Sequence, residues 1–513
     1  MQATPLLDLA IVGGGVAGVI HLHYARQSGL DSLLLEKQGG VGGLWRQLPA
    51  WQDIQISPAD WTLGDLPMGG PKQPCILANI EAWVERFDLA DRIRLDSPVS
   101  RARYTGTCWE LDTPGGTVRA RHLVAATGGH NTPAIPDAIR RDSELRELHS
   151  SALRDPTELT GREVIVVGGG ASAFDLLDLC LEHKARRIAW VYRGLRWFTP
   201  TGKPKAIAGS VRPYAKMQAS GMTVTQQNET IGADLLSRYE KFGIQSIRPQ
   251  RLLDVRQDQL IPGRARMLAS FAALERYPGS VEKIEGRHVT LSDGTRLAGD
   301  VLLWGTGYQT DLSYFEEPRI ARVRTVAELA SRCACIFRSL DAPDLYFPGV
   351  GLDGIGAAPW AFMLMARSVM SHIRGTAQLD MEPVDGRLNH FDIVRYLAER
   401  DRGTYAGERG WDFYRELALG RPHDQPYPLL CRRCAAAGPS SPRPRSARAI
   451  RCSAFPAHPR PACRPGAAAP RTARPAPGPR RRAWHRAAPS APSACRPTHP
   501  AAPHWRRARW RSR

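Results

Sequence analysis

Two segments of the chain share one pattern of hydrophobic and polar positions. Each has an apolar run, then a glycine-rich turn, then a stretch with apolar residues on one helical face. The first runs from Leu7 to Ser28 with its turn at Gly13–Gly18, and the second from Glu163 to His183 with its turn at Gly168–Ala173. A short apolar run bounded by glycine is typical of a buried strand, and spacing by three and four is typical of a helix. The pattern therefore predicts two strand–turn–helix units.

Each unit is followed at some distance by a hairpin signal and by an apolar strand that runs into a Thr-Gly turn. A hairpin turn at Pro114–Gly116 precedes the strand at Leu123–Gly128, and a turn at Asp293–Gly294 precedes the strand at Val301–Gly307. Short strands joined by glycine-containing turns predict antiparallel hairpins. The repeat predicts two similar dinucleotide folds, the second inserted into the first.

The predicted fold class is α/β, with two Rossmann-like dinucleotide-binding domains and a C-terminal tail. At 513 residues the chain exceeds the size of a single hydrophobic core, which agrees with several domains. The predicted boundaries place the first domain at 1–158 and 299–430, the second at 159–298 and the tail at 431–513. Within the second domain, residues from about 198 to 261 exceed a minimal nucleotide fold. We expect them to form a lid or side wall over the substrate, or else a surface decoration or an oligomer contact.

The formal charge of +20 is confined to the tail. Residues 431–513 contain 20 arginines, no lysine and no acidic residue, so the preceding 430 residues carry 50 basic and 50 acidic side chains. The tail is rich in Pro, Ala, Arg and Ser, which predicts disorder because it offers too little apolar surface to offset chain entropy. An RNA- or membrane-binding arm is one interpretation; we favour an out-of-frame extension of a GC-rich gene. We therefore expect no nucleic-acid partner.

The glycine turns have the spacing that binds a dinucleotide. In the first turn, we expect Gly13 to form the tight bend, Gly15 to admit the pyrophosphate and Gly18 to let helix and strand pack closely. Glu36 follows 23 positions after Gly13, near the spacing at which an acid reaches a ribose hydroxyl.

The second strand of the second unit carries no such acid and continues into Arg193. A guanidinium there suits a 2′-phosphate, which a carboxylate would repel. We therefore expect loop two to bind NADPH and loop one to bind a dinucleotide without that phosphate. The alternative for Arg193 is an exposed charge at a strand end.

Cysteine content and the absence of targeting or membrane signals argue against several other classes of protein. Ten cysteines, five of them in the tail, are too sparse for a disulfide scaffold, and a reducing cytoplasmic setting fits. Cys431 and Cys434 have zinc-knuckle spacing without a second pair, so we expect no metal. The N-terminus lacks the features of a signal peptide, and no apolar run approaches the ~20 residues that span a bilayer, so we expect a soluble protein without a membrane partner.

Two dinucleotides on one chain imply hydride transfer from a nicotinamide to a second redox cofactor, most simply FAD. A disulfide reductase would place a Cys-x-x-Cys pair beside the flavin. Only Cys180 follows the second loop closely, and Cys333 and Cys335 lie outside any such position. Dioxygen is the remaining obvious electron acceptor.

From about Leu7 to Gly375 the chain resembles the flavin-containing monooxygenases, which are related to Baeyer–Villiger and N-hydroxylating monooxygenases. The similarity is carried by Gly42-Gly-Leu-Trp45, by Ala126–Pro136 with His149, by the loop Gly168–Asp175 with Arg193 and Trp197, by Gly305-Thr-Gly-Tyr308 and by Phe347–Gly375. Together with the glycine loops, it implies FAD-binding residues Gly13, Gly15, Gly18, Glu36, Gly43, Leu44, Trp45, Thr127, Gly351 and Leu352. It implies NADP-binding residues Gly168, Gly170, Ser172, Arg193, Trp197, Thr306 and Gly307.

The resemblance implies reduction of FAD by NADPH, reaction with dioxygen and transfer of one oxygen atom to a small organic substrate. The Baeyer–Villiger fingerprint FxGxxxHxxxW is not met around His149, where its other positions hold Ser143, Leu145 and Leu153, so we favour N- or S-oxygenation over ketone oxidation. In the family, an asparagine helps to hold the oxygen adduct of the flavin. In this sequence that asparagine is replaced, and the residues nearest to its position are Gln55 and Asp60.

Three questions stay open at the level of sequence. His130 is a hydrogen-bond donor or a structural residue, and Trp197 lines the nicotinamide site or packs. The alternatives to a monooxygenase are an NADPH oxidase or flavin-dependent reductase without organic oxygenation, and a non-catalytic flavin redox sensor. The oligomeric state, a homodimer included, is also open.

Overall fold

The computed structural model describes residues 5–54, 57–137, 139–201, 222–255, 258, 260–334, 337–348 and 358–375. All of them belong to one compact unit, Met1–Pro442. The predicted tail at 431–513 lies outside the described residues.

In the described residues, helices separate some of the strands, whereas other strands follow one another directly. The strands are β1 Leu6–Val12, β2 Ser32–Leu35, β3 Ile93–Arg94, β4 Arg101–Tyr104, β5 Trp109–Thr113, β6 Gly116–Ala125, β7 Thr132–Pro133, β8 Arg140–Ser143, β9 Arg146–His149, β10 Glu163–Val167, β11 Arg187–Tyr192, β12 Phe198–Thr199, β13 Ile261–Pro262, β14 Glu275–Pro278, β15 Val281–Gly286, β16 His288–Leu291, β17 Arg296–Ala298, β18 Val301–Trp304, β19 Tyr308–Gln309 and β20 Leu345–Tyr346. The helices are α1 Val16–Gln27, α2 Leu44–Gln47, α3 Pro58–Trp61, α4 Gln73–Arg86, α5 Ala171–Glu182, α6 Val224–Lys241, α7 Ala265–Ala269, α8 Pro318–Ala321, α9 Val326–Ser331 and α10 Ala358–Ile373.

The first domain is built on a sheet in the order β3-β2-β1-β6-β5-β4, with β20 paired to β6. β1 runs parallel to β2 and β6, whereas β5 and β6 form the predicted antiparallel hairpin and β4 adds an antiparallel strand beside β5. Leu9, Ala10 and Ile11 of β1 are fully buried, because helices cover the sheet. Helix α1 packs against α10, the last of the described helices. The first domain therefore contains residues from both of its predicted segments.

The second domain has a wholly parallel sheet in the order β14-β11-β10-β18-β9. A second sheet, β17-β16-β15-β8, contains the predicted hairpin β16–β17. Strands β8 and β9 precede residue 159 and β18 follows residue 298, so the second domain extends beyond the predicted segment at both ends. The predicted fold class, two Rossmann-like units with one inserted in the other, is confirmed.

The chain crosses between the domains twice, and the two crossings pair with each other. β7 on the way out pairs antiparallel with β19 on the way back. Asn131 links the two crossings, because its Nδ2 donates to the Asp311 carbonyl at 3.0 Å and its Oδ1 accepts from the Asp311 N–H at 2.8 Å. This double connection holds the second domain at the edge of the first.

The described part of the predicted lid or side wall contributes to the second domain's core. Helix α6 starts at a capping box formed by Thr223 and Gln226. Its buried face, Ile231, Leu235 and Tyr239, packs with the apolar residues of the second domain. Residues 202–221 of this insertion lie outside the described residues. Among the described helices, none is both long and apolar enough to cross a bilayer.

Candidate dinucleotide sites

The first glycine loop is built by close backbone contacts that exclude side chains. Gly13 has φ +106°, and a Cβ added to it would lie 2.6 Å from the Ala126 carbonyl oxygen, at the end of β6. A Cβ added to Gly18, inside α1, would lie 1.9 Å from the Gly13 carbonyl oxygen. These contacts give Gly13 and Gly18 the bend and the close packing predicted for them.

The carboxylate of Glu36 is fixed beside this loop. Glu36 is 3% exposed, and it accepts hydrogen bonds from the Gly14 N–H at 2.5 Å and the Gln38 N–H at 2.8 Å. These two bonds hold the carboxyl group in one orientation at the end of β2. Its position at the carboxyl ends of the parallel strands is where a ribose is bound in folds of this kind.

A second glycine segment faces the N-terminus of α1. The Gly42 N–H donates to the Gly14 carbonyl oxygen at 2.8 Å. A Cβ added to Gly43, whose φ is +54°, would lie 2.8 Å from the Gly15 Cα, so position 43 needs glycine. Gly15 is the N-cap of α1 and provides no side-chain cap, and no acidic residue lies in the helix's first turn. The helix therefore presents its positive end to this slot, which fits a pyrophosphate.

The segment continues into helix α2, which holds the other two residues predicted there. Leu44 and Trp45 are the first residues of α2, and both are half-buried. The ring of Trp45 packs edge-on against Trp61 of α3, with centroids 5.8 Å apart. The predicted FAD segment is thus anchored on the first domain's core.

The second loop repeats the first in detail. Gly168 has φ +140°, and a Cβ added to it would lie 2.2 Å from the Gly305 carbonyl oxygen, just after β18. Gly170 is the N-cap of α5, again without a side-chain cap or an acid in the first turn, and open space surrounds its Cβ position. Ser172 is half-buried in the first turn of the helix. The loop therefore offers the same cradle for a second pyrophosphate.

The strand register shows that the two glycine loops differ in the residue that follows the neighbouring strand. Val12 pairs with Leu35 in the first domain and Val167 pairs with Val191 in the second, so Tyr192 holds the position of Glu36. Arg193 follows one residue later and is exposed. A Cβ added to Gly169 would lie 2.1 Å from the Gly194 carbonyl oxygen, which places the turn containing Arg193 against loop two. Where loop one has the acid Glu36, loop two therefore has Tyr192 followed by the cation Arg193. Sequence spacing alone did not identify Tyr192.

The Thr-Gly turns lie where the chain leaves each sheet. Thr127 follows β6 and is half-buried, and a Cβ added to Gly13 would lie 3.3 Å from its Cα. In the second domain, the Thr306 hydroxyl donates to the Ala134 carbonyl oxygen at 2.5 Å, and Gly307 has φ +78°. The structure thus places Thr127 at loop one, and Thr306 and Gly307 at the double connection.

The remaining predicted residues are dispersed. His130 is exposed at the double connection. Trp197 is 3% exposed, donates through Nε1 to the Arg251 carbonyl oxygen at 3.2 Å and packs edge-on against Tyr239. Its contacts are those of a core residue. Gln55, Gly351 and Leu352 lie outside the described residues, and of Asp60 only the backbone, in α3, is described.

Burial shifts the pKa of two titratable side chains, His149 and Cys180. Burial lowers the pKa of His149, whose Nε2 lies 2.9 Å from the Gly307 carbonyl oxygen. Burial raises the pKa of Cys180 to about 12, which keeps this thiol protonated and unsuited to disulfide exchange. Within the described ranges, no group of three or more His, Cys, Asp or Glu side chains could hold a metal ion.

Sequence inspection missed a buried polar cluster that joins the two domains. The Arg264 Nε donates to the Asp175 Oδ1 at 2.7 Å, and the two side chains are 0% and 2% exposed. Gln52, from the first domain, donates through Nε2 to the Asp175 Oδ2 at 3.1 Å. The three residues lie far apart in the chain, so no motif or periodicity connects them.

A family model described as pyridine nucleotide-disulphide oxidoreductase matches residues 10–241. The Baeyer–Villiger monooxygenase of Streptomyces coelicolor (strain ATCC BAA-471 / A3(2) / M145) is 25% identical over 358 residues, 62% of this chain and 68% of that protein. Flavin-containing monooxygenase 5 of Mus musculus is 22% identical over 382 residues, 68% of this chain and 69% of that protein.

The crystal structure of OTEMO in complex with FAD and NADP aligns with a TM-score of 0.56 and 17% identity, covering 73% of this chain and 85% of the other. At this identity the likeness concerns the fold. The predicted resemblance is confirmed by these matches, as is the prediction of an oxidoreductase enzyme.

Proposed function

We propose that this chain, an oxidoreductase similar to the flavoprotein monooxygenases, uses FAD and NADPH to insert one oxygen atom from dioxygen into a small organic substrate. One observation carries the proposal. Two glycine loops, each at the carboxyl end of a central parallel strand and each opening an uncapped helix N-terminus, lie in one compact unit. Two such loops serve two dinucleotides, and two dinucleotides on one chain serve electron transfer between them.

FAD fits the first loop. Gly13 and Gly43 allow the close backbone contacts that shape the loop, and Gly15, the N-cap of α1, would face the pyrophosphate without a side chain. Glu36 would accept a hydrogen bond from a ribose hydroxyl through the carboxylate that Gly14 and Gln38 hold in place. A 2′-phosphate would meet this carboxylate at short range, so the loop rejects NADPH.

NADPH fits the second loop. Gly168 and Gly170 would receive its pyrophosphate at the N-terminus of α5. Arg193 would pair with the 2′-phosphate, and Tyr192 leaves no carboxylate to oppose it. When bound, the two cofactors supply hydride transfer and the activation of dioxygen. The protein's own residues bind, orient and exclude water, so a nucleophile–histidine–acid triad is not required.

For the substrate we propose a soft nitrogen or sulfur centre. The support is the departure from the Baeyer–Villiger fingerprint at Ser143, Leu145 and Leu153. Ketone oxidation is the second candidate, because the matched Streptomyces coelicolor protein is a Baeyer–Villiger monooxygenase.

A substrate screen tests the proposal. Amines, sulfides and ketones are added to the purified protein with FAD, and NADPH oxidation is followed together with product mass. The expected result is oxidation stimulated by an amine or a sulfide, with the product mass increased by one oxygen atom. NADPH oxidation that yields only hydrogen peroxide with every compound would instead support an NADPH oxidase. A product from ketones alone would favour the second candidate.

A further inference from the structure

A continuous hydrogen-bonded path leads from the predicted FAD segment to the helix of the NADPH loop. It starts at Trp45, whose carbonyl oxygen accepts from the Gln73 Nε2 at 2.6 Å. The Gln73 N–H in turn donates to the Gln52 carbonyl oxygen at 2.7 Å. Gln73 is 8% exposed and opens α4, so Trp45 and Gln52 are held by one residue of the first domain.

The path continues through the side chain of Gln52 into the second domain. Gln52 Nε2 donates to the Asp175 Oδ2 at 3.1 Å. Asp175 lies on α5, five residues after the N-cap Gly170. Next to Gln52, the Trp51 Nε1 donates to the Leu153 carbonyl oxygen at 2.6 Å. Trp51 and Gln52, two adjacent residues of the first domain, therefore both donate hydrogen bonds to the second domain close to its cofactor loop.

Asp175 is itself fixed by a fully buried arginine. Arg264 donates to the Asp175 Oδ1 at 2.7 Å, and its other nitrogens reach the carbonyl oxygens of Pro262 and, at 3.5 Å, of Ala171. Burying an ion pair costs desolvation energy, which is tolerated when hydrogen bonds complete the geometry. Arg264 therefore links Asp175 to Ala171, the first residue of α5. A displacement of Asp175 would shift the N-terminal turn of this helix.

We propose that Gln52 is a positioning residue, which sets the distance between the two cofactors by holding α5 through Asp175. The inference rests on the proposed function. With both cofactors bound, the C4–H bond of NADPH would break with both electrons and the hydride would form an N–H bond on the flavin, so that FAD is reduced as the nicotinamide is oxidised. Transfer of this kind is sensitive to shifts of about 1 Å in the reacting atoms. A neutral amide suits this position, because a carboxylate would face Asp175 at about 3 Å and repel it.

The test compares Gln52→Leu, which keeps the volume and removes the amide, with Gln245→Leu as a matched control on an exposed turn. Gln52→Asn, which keeps the amide on a shorter stem, serves if the leucine variant does not fold. Three quantities are measured: the rate of flavin reduction by saturating NADPH without oxygen, the Kd of NADP⁺ by calorimetry, and amide exchange of residues 48–54 in the protein without NADPH.

We expect Gln52→Leu to slow flavin reduction about tenfold, corresponding to one hydrogen bond to a charged group. The Kd of NADP⁺ should stay within about twofold, because loop two and Arg193 are unchanged. Exchange at residues 48–54 should accelerate, since the Gln52 N–H donates to the Pro49 carbonyl oxygen within this segment and the Ile54 N–H donates to the Pro71 carbonyl oxygen. The asparagine variant should show the same pattern in weaker form, and Gln245→Leu should match the wild type.

Three outcomes overturn the inference and remain distinguishable from one another. If NADPH reduces the flavin equally fast in the wild type and in Gln52→Leu, and amide exchange is unchanged, Gln52 does not position the domains. If NADPH does not reduce the wild-type flavin, the proposed function is wrong and the positioning role is lost with it. An equal fall in NADP⁺ affinity and reduction rate would show a binding residue instead of a positioning one.

Discussion

Replacing Arg193 with alanine should convert a preference for NADPH into near indifference between NADPH and NADH. Arg193 directly follows Tyr192, which occupies in the second domain the place that Glu36 occupies in the first. We therefore propose that its guanidinium pairs with the 2′-phosphate of NADPH. NADH lacks that phosphate, so its binding should not depend on this residue.

The size of the effect follows from the exposure of the side chain. A hydrogen bond to a charged group contributes about 1.5–3 kcal/mol. Because Arg193 is exposed, solvent screens the pair and the lower part of that range applies. We expect a loss of about 1.5 kcal/mol, roughly a tenfold rise in the Kd of NADPH. Arg193→Lys should retain part of the affinity, because it keeps the charge without the planar guanidinium.

The assay is flavin reduction without oxygen at varied NADPH and NADH, at low and high salt. Arg186→Ala is the matched control, since Arg186 precedes the same strand at its opposite end and pairs there with Glu163. The NADPH effect should shrink as salt screens the pair. Equal losses for NADPH and NADH, or an equal effect of Arg186→Ala, would refute the assignment of the phosphate to Arg193.

Three further substitutions test the packing on which the sites depend. Gly13→Val should abolish FAD retention, seen as colourless purified protein, whereas Gly116→Val, also at positive φ but in open space, should stay yellow; a yellow Gly13 variant would contradict the loop geometry. Burial lowers the pKa of His23 to about 4, so its contribution to stability is present above pH 6.5 and is lost as the pH falls. Urea unfolding at pH 7 and pH 4.5 should therefore show an acid loss about 2–3 kcal/mol smaller in His23→Phe than in the wild type, and equal losses would exclude a buried neutral imidazole. Arg264→Met leaves Asp175 buried without its cation and should cost about 3–5 kcal/mol in the same assay, against under about 1 kcal/mol for the half-exposed Arg266→Met; similar values for both would contradict the burial of the pair.

The sequence predicted the two nucleotide units because their signals are local. Strand β10 has the predicted bounds, and the hairpin β5–β6 forms around the predicted turn. Helices α1 and α5 begin three residues earlier than predicted, at Val16 and Ala171, because the last residues of each glycine turn are already helical. Gly18 is tolerated within α1 because only glycine fits against the Gly13 carbonyl oxygen.

Features that depend on distant partners were not predictable in this way. Strand β9, Arg-Glu-Leu-His, is mostly polar and has no strand signature, yet it pairs with β18 at the edge of the second domain's parallel sheet. Tyr192 emerged as the counterpart of Glu36 only from the register of two sheets. The contact of Gln52 with Asp175 joins residues 123 positions apart, and its geometry requires both domains to be folded.

The most direct test of the account is an anaerobic titration of the purified recombinant protein, produced with ample riboflavin. We predict yellow protein that contains FAD, whose visible absorbance is bleached by an equimolar amount of NADPH and returns when air is admitted. Colourless protein that takes up neither FAD nor NADPH, or bound FAD that NADPH leaves oxidised, would contradict the claim that this chain brings the two cofactors together.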